Sequence, residues 1–186
     1  MKRIISCVLI ILFLFGCSKN STSITGALNL RQDILKGEGC SFTAKVTVDY
    51  SDCSYSFTVD CHAQNNGSLE FSIASPDSIS GIIGSISEDG GKLLFNDQAL
   101  LFEPLVNGQL SPAIAPWIMV EGIKSGYIQS GAKIKGGYEY CFNDSFQSES
   151  IQMVLTVNAL GDPVFCEIFW HNSRILSIEI SNYRDL

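Results

Sequence analysis

Between Phe42 and Pro76 the apolar residues fall at every second position through three successive runs, a period that suits a pleated strand and not a helix. The first run sets Phe42, Ala44, Val46, Val48 and Tyr50 against Thr43, Lys45, Thr47 and Asp49. The second sets Tyr55, Phe57, Val59 and Cys61 against Ser54, Ser56, Thr58 and Asp60, and the third sets Leu69, Phe71 and Ile73 against Ser68, Glu70 and Ser72. The connections Ser51-Asp52 and Gln64-Asn65-Asn66-Gly67 are long enough for antiparallel hairpins and too short for a parallel crossover. A meander of this kind has one apolar face that must be covered, and the nature of the cover bears directly on function.

Downstream, Ser75-Pro76-Asp77 ends the third run. Ile79, Ile82, Ile83 and Ile86, interrupted by Gly81 and Gly84, predict a fourth strand bent or bulged at its glycines. Leu93-Leu94-Phe95 and Ala99-Leu100-Leu101-Phe102 follow, each after a polar turn. From Leu105 to Gly131 strict alternation is lost. Ser111-Pro112 and Ala115-Pro116 resemble helix starts, and Trp117, Val120, Ile123 and Tyr127 recur at helical intervals, so one or two short helices are expected across the mouth of the sheet. Alternation returns in Ile134 to Phe142, Ile151 to Val157, Val164 to Trp170 and Ile175 to Ile180. On the amino-terminal side, Leu28, Leu30, Ile34 and Leu35 predict an amphipathic helix closed by Gly37. The expected fold is mainly β: a single curved, half-closed antiparallel sheet, an incomplete barrel of about ten strands, with an amino-terminal helix and a short helical insertion.

The first residues carry a different message. Met1-Lys2-Arg3, an apolar stretch from Ile4 to Phe15 and then Gly16-Cys17 make a secretory signal, and the apolar core is short of the roughly 20 residues a membrane span needs. Leu14-Phe15-Gly16-Cys17 resembles a bacterial lipobox. That resemblance implies a signal peptide at residues 1–16, acylation of Cys17, a flexible polar tether over residues 17–26, a domain over residues 27–186, and lipid anchoring outside the cytoplasm. The alternatives are an ordinary signal peptide with an incidental cysteine and an uncleaved membrane helix. Removal of residues 1–16, with Lys2 and Arg3 among them, leaves 170 residues and takes the formal charge from −7 to −9. This acidic balance argues against nucleic acid or anionic phospholipid headgroups as partners for the folded domain.

The order of an amino-terminal helix, a meander, the Gly-x-Leu-x-Phe-x-Ile-x-x-Pro-Asp segment at residues 67–77, a mid-chain helical plug and a closing sheet with a Gly-Asp-Pro turn resembles the LolA/LolB-like lipoprotein carrier family. The resemblance implies a concave apolar face, closed by helices, that shelters lipid or acyl chains. Phe42, Val46, Val48, Tyr55, Phe57, Leu69, Phe71, Ile73 and Trp117 are the expected lining. The soluble carrier of that family holds its lid with a buried arginine; here the domain has only Arg31, Arg174 and Arg184, none in the plug.

Five cysteines remain once Cys7 and Cys17 are set aside. With a hairpin turning at Tyr50-Ser51, Cys40 lies opposite Cys61, which suits a cross-strand disulfide; Cys141 and Cys166 form a second candidate pair. The alternative is that all five are small buried hydrophobes. Cys61-His62 lacks partners at ligand spacing, so no metal site is expected. Nothing matches Gly-x-Ser-x-Gly, a phosphate-binding glycine loop or a glycosidase carboxylate pair. The expected protein is therefore a membrane-anchored binder of a hydrophobic ligand, not an enzyme, needing no cofactor. A structural or interaction module with a filled core and a hydrolase of unknown substrate are the alternatives.

Overall fold

A computed structural model describes residues 21–50, 53–103, 105–106, 109–145 and 150–186. The signal segment, the lipobox and Cys17 lie outside the described residues. Helix α1 (Ser21–Lys36) precedes a three-strand meander, β1 (Gly39–Tyr50), β2 (Cys53–Gln64) and β3 (Leu69–Ser75). Three shorter strands follow, β4 (Ile83–Ser87), β5 (Gly90–Phe95) and β6 (Gln98–Phe102). A small hairpin, β7 (Leu105–Val106) with β8 (Gln109–Leu110), leads through a 3₁₀ turn (Pro112–Ile114) into α2 (Ala115–Ser125). The chain closes with β9 (Tyr127–Ile134), β10 (Gly137–Asn143), β11 (Gln152–Asn158), β12 (Pro163–Trp170) and β13 (Ser173–Asp185). Among the described residues no helix is long and apolar enough to cross a membrane.

Eleven strands form one antiparallel sheet in the order β6-β5-β4-β3-β2-β1-β13-β12-β11-β10-β9. The last strand pairs with the first, so the meander and the carboxy-terminal strands are joined along β1 and β13, from Cys40↔Asp185 to Val48↔Leu176. Register slips at Ser41/Thr43, Thr58/Val59, Cys141/Phe142, Thr156/Val157 and Ile168/Phe169 place irregularities along both halves. Such bulges sharpen local twist and let a wide sheet curl without closing.

The two edges, β6 and β9, are consecutive strands of the sheet in sequence, so the chain between them must travel from one rim to the other. It does so across the concave face, and that crossing is what sets α2 over the sheet. The inner residues form continuous rows: Val46 stands between Phe57 and Ile178, Ile178 meets Cys166, and Cys166 meets Leu155. Onto these rows pack Ile114, Met119, Val120 and Ile123 of the crossing, and Ala27, Leu30 and Ile34 of α1.

Three details differ from the sequence reading. Helix α1 begins at Ser21, so residues 21–26 belong to it and not to a flexible tether; the small residue Gly26 fits against Tyr140 where a side chain has no room. Helix α2 ends at Ser125, and Tyr127, read as its last helical position, opens β9. Gly84 is regularly paired with Phe71 and marks no bulge.

Candidate ligand cavity

Pro116 stands in the first turn of α2, where its missing N–H removes nothing the helix needs, and Gly126, in an extended conformation, stops it. Inside the helix Gly122 faces the sheet: a β-carbon there would meet Met153 Cε at 3.0 Å and Sδ at 3.1 Å. Between this face and the closing half of the sheet lies a cavity of about 270 Å³, walled by Trp117, Ile118, Phe142, Ile151 and Met153. Its rim is polar, with Glu88 from the β4–β5 turn, Glu121 and Asp144. Glu121 accepts from Lys124 at 2.7 Å, and Asp144 Oδ1 accepts from the Ile151 N–H at 2.9 Å. A larger open groove of about 660 Å³ lies across β4–β6, where the exposed Ser85, Lys92 and Leu101 stand in register. The inward-facing row Ile86, Gly91 and Phe102 lines it as well, so that groove takes in both faces at the β4–β6 flank of the sheet.

Helix α2 is held at both ends. Near its start, Trp117 Nε1 donates to the Gly67 carbonyl at 2.9 Å, tying α2 to the β2–β3 turn. At its end, Arg31 of α1 donates through Nε to the Ile123 carbonyl at 2.6 Å and through Nη2 to the Gly126 carbonyl, while its guanidinium lies 6.0 Å from the Phe142 ring centroid. Carbonyls in the last helical turn have no intrahelical partner, and a cation there also suits the helix dipole. Burial lowers the Arg31 pKa from its ordinary value, though a guanidinium stays protonated in proteins.

The expected lining set is distributed unevenly. Phe42, Val46, Val48, Phe57, Leu69 and Phe71 are buried in the packed core, with Ile73 partly buried against it. Tyr55, near the turn of the β1–β2 hairpin, is 49% exposed. Trp117 alone of the set borders the cavity. Phe142, Ile151 and Met153 carried the right signal, since their alternation places them on inner faces. The landing point of α2, which leaves them partly uncovered, is a tertiary outcome.

Cys40 pairs across the hairpin with Ala63, and Cys61 with Phe42, because the turn falls between Tyr50 and Cys53. The two cysteines are therefore diagonal neighbours, whose backbone spacing of roughly 7–8 Å exceeds the usual disulfide span, and both are free thiols. Cys141 and Cys166 are also free, on strands separated by β11. Burial pushes the Cys40 thiol up to about 11 and raises Cys61 and Cys166 further. Among the described residues no three His, Cys, Asp or Glu side chains gather as a metal site.

No protein-family model matches the chain, and no curated protein matches it significantly. Among solved structures it is similar to a putative outer membrane lipoprotein-sorting protein domain from Vibrio parahaemolyticus, with 10% identity, a TM-score of 0.49 and coverage of 88% of this chain and 92% of that one. It is similar also to a LolA superfamily protein from Nitrosomonas europaea, at 10% identity, TM-score 0.43 and coverage of 86% and 94%. A third similar structure is the lipoprotein LppX from Mycobacterium tuberculosis, at 11% identity, TM-score 0.38 and coverage of 84% and 92%.

Proposed function

We propose that this protein is an extracytoplasmic lipoprotein, acylated at Cys17, that shelters an apolar chain beneath α2. The observation that carries the reading is the cavity under a lid helix fastened by Arg31 of α1 and by its own Trp117. At about 270 Å³ it is just smaller than ordinary ligand sites, which run from roughly 300 to 1,000 Å³. A short apolar segment fits without movement, and a longer chain requires α2 to lift. Each methylene transferred from water contributes about 0.8 kcal/mol, so affinity can arise without polar contacts.

Native mass spectrometry of the full chain from its own cells is expected to show co-purifying lipid, and a fluorescent fatty acid is expected to bind saturably. No lipid and no saturable binding would sink the ligand reading. Acylation is tested separately: the mature protein should begin at a modified Cys17, and Cys17→Ser should move it from the membrane to the soluble fraction.

One observation favours a second reading, an envelope interaction module. Leu94 and Leu101 on the outer face of the β5–β6 hairpin, and Phe95 and Leu100 on the opposite face, are all exposed, and apolar surface of this kind at a sheet edge is a natural protein contact. Loss of a co-purifying partner on Leu100→Ser/Leu101→Ser, with fatty-acid binding absent in the parent, would select it.

A further inference from the structure

Three parts of the fold converge at one end of the sheet. Gly26 of α1 lies against Tyr140, and Arg31, further along, reaches Phe142 and the end of α2. The amino-terminal end of α1 therefore points along β10 toward Gly137. Gly137 is paired with Ile134 of β9 and with Asn158 of β11, which brings the β9–β10 hairpin and the β11–β12 turn side by side. Thr25, Gly26, Tyr138 and Leu160 line one groove there.

Leu160, at the tip of the turn, is 88% exposed and Ile134 is 37% exposed, with Lys133 and Lys135 exposed beside it. The leucine is held out on a fixed frame. Asn158 Oδ1 accepts from the Leu160 N–H at 2.8 Å and the Asp162 N–H at 3.0 Å, Asn158 Nδ2 donates to Asp162 Oδ2 at 3.0 Å, and the Asn158 N–H donates to the Asp162 carbonyl at 2.9 Å. Three residues separate Cys17 from Ser21. Even fully extended, that length keeps the start of α1 within about 14 Å of the acylated residue.

We propose that this end is the surface the domain turns to the bilayer, with Leu160 and Ile134 entering the interface and Lys133 and Lys135 among anionic headgroups. The inference rests on acylation of Cys17. Asp33, Asp162 and Asp185 border the adjoining groove, and the mature chain is acidic. The surface therefore binds only because the anchor keeps it at high effective concentration beside the membrane. The cavity rim at Asn143 and Asp144 lies at the other end of β10 (Gly137–Asn143). At roughly 3.3 Å per residue that is about 20 Å from the bilayer end, so the cavity rim stands at the far end of the strand from the membrane.

Hydroxyl-radical footprinting of the full acylated chain on vesicles of phosphatidylethanolamine and phosphatidylglycerol tests this, with the Cys17→Ser protein in solution as reference. Oxidation of Leu160 and Ile134 is expected to fall several-fold on vesicles while Leu101 on β6 stays unchanged. Lys133→Glu/Lys135→Glu is expected to restore oxidation at both positions without releasing the protein. Unchanged oxidation of Leu160 and Ile134 in a chain that carries its acyl group and co-sediments with vesicles overturns the surface alone, as does protection of Leu101 in their place. A full chain purified from its own cells that carries no acyl group at Cys17 overturns the anchor, and the surface with it.

Discussion

Arg31 donates to two carbonyls that α2 cannot satisfy itself, from a helix 92 residues earlier in the chain. Hydrogen bonds from a charged donor are worth about 1.5–3 kcal/mol each, less where solvent competes. Arg31→Ala is expected to lower unfolding free energy by about 1–3 kcal/mol in equilibrium denaturation. Arg31→Lys should recover only part of the loss, since an ammonium lacks the planar fork. Nothing in the sequence marks this residue: among Leu30, Gln32 and Asp33 an arginine reads as the solvated side of an amphipathic helix. The buried thiols are a second case. Cys40 is favoured in its neutral form by desolvation, so the folded state holds its proton up to about pH 11 while the unfolded chain releases it near 9. The folded state then binds more protons across that window, and stability falls as pH rises through it. Cys61 and Cys166 act in the same direction. Thermal midpoints should fall from about pH 9 upward and fall less steeply in Cys40→Ala. The alternation of the strands foretold that these cysteines face inward; the two-residue offset between Cys40 and Cys61 depended on where the hairpin turns.

Among the strands, β4 shows how a glycine can be misread. Gly84 looked like a bend in a run of isoleucines, yet its ladder with Phe71 is regular, and the phenyl ring lies over the space a β-carbon would take. Gly91 and Phe102 repeat the arrangement on β5 and β6. In both, the missing side chain is a seat for a cross-strand aromatic, the device by which exposed backbone at a sheet's flank is covered. Gly84→Ala is expected to destabilise by about 1–3 kcal/mol through overpacking. The effect should shrink in a Phe71→Leu background; equal losses in both backgrounds, read from a double-mutant cycle, would mean that the ring is not responsible. Strands were legible because a period of two survives in the sequence wherever one face is buried. The early start of α1 was not, because Ser21 to Gly26 has no apolar stripe, and its helix continues from the docked turns that follow.

For the molecule as a whole, the sheet, its two helices and its open rim follow from alternation and chain length, whereas the cavity depends on where a crossing segment comes to rest. That dependence gives a direct test at Gly122. Replacing it with alanine should favour the helix by roughly 1 kcal/mol, while the new methyl meets only the flexible end of Met153, at 3.0 Å from Cε. Gly122→Ala is thus expected to keep or raise the thermal midpoint. Gly122→Leu projects into the space bounded by Ile118, Phe142 and Met153 and should abolish binding of a fluorescent fatty acid in a folded protein. Arg31→Leu works on the same lid from the other side, freeing the last turn of α2, and should raise uptake even as it lowers stability. Opposite shifts in binding from two substitutions on either side of one helix would tie the ligand to the space beneath it. A Gly122→Leu protein that folds and still binds at full affinity would move the ligand elsewhere, with the exposed β5–β6 hairpin the next place to look.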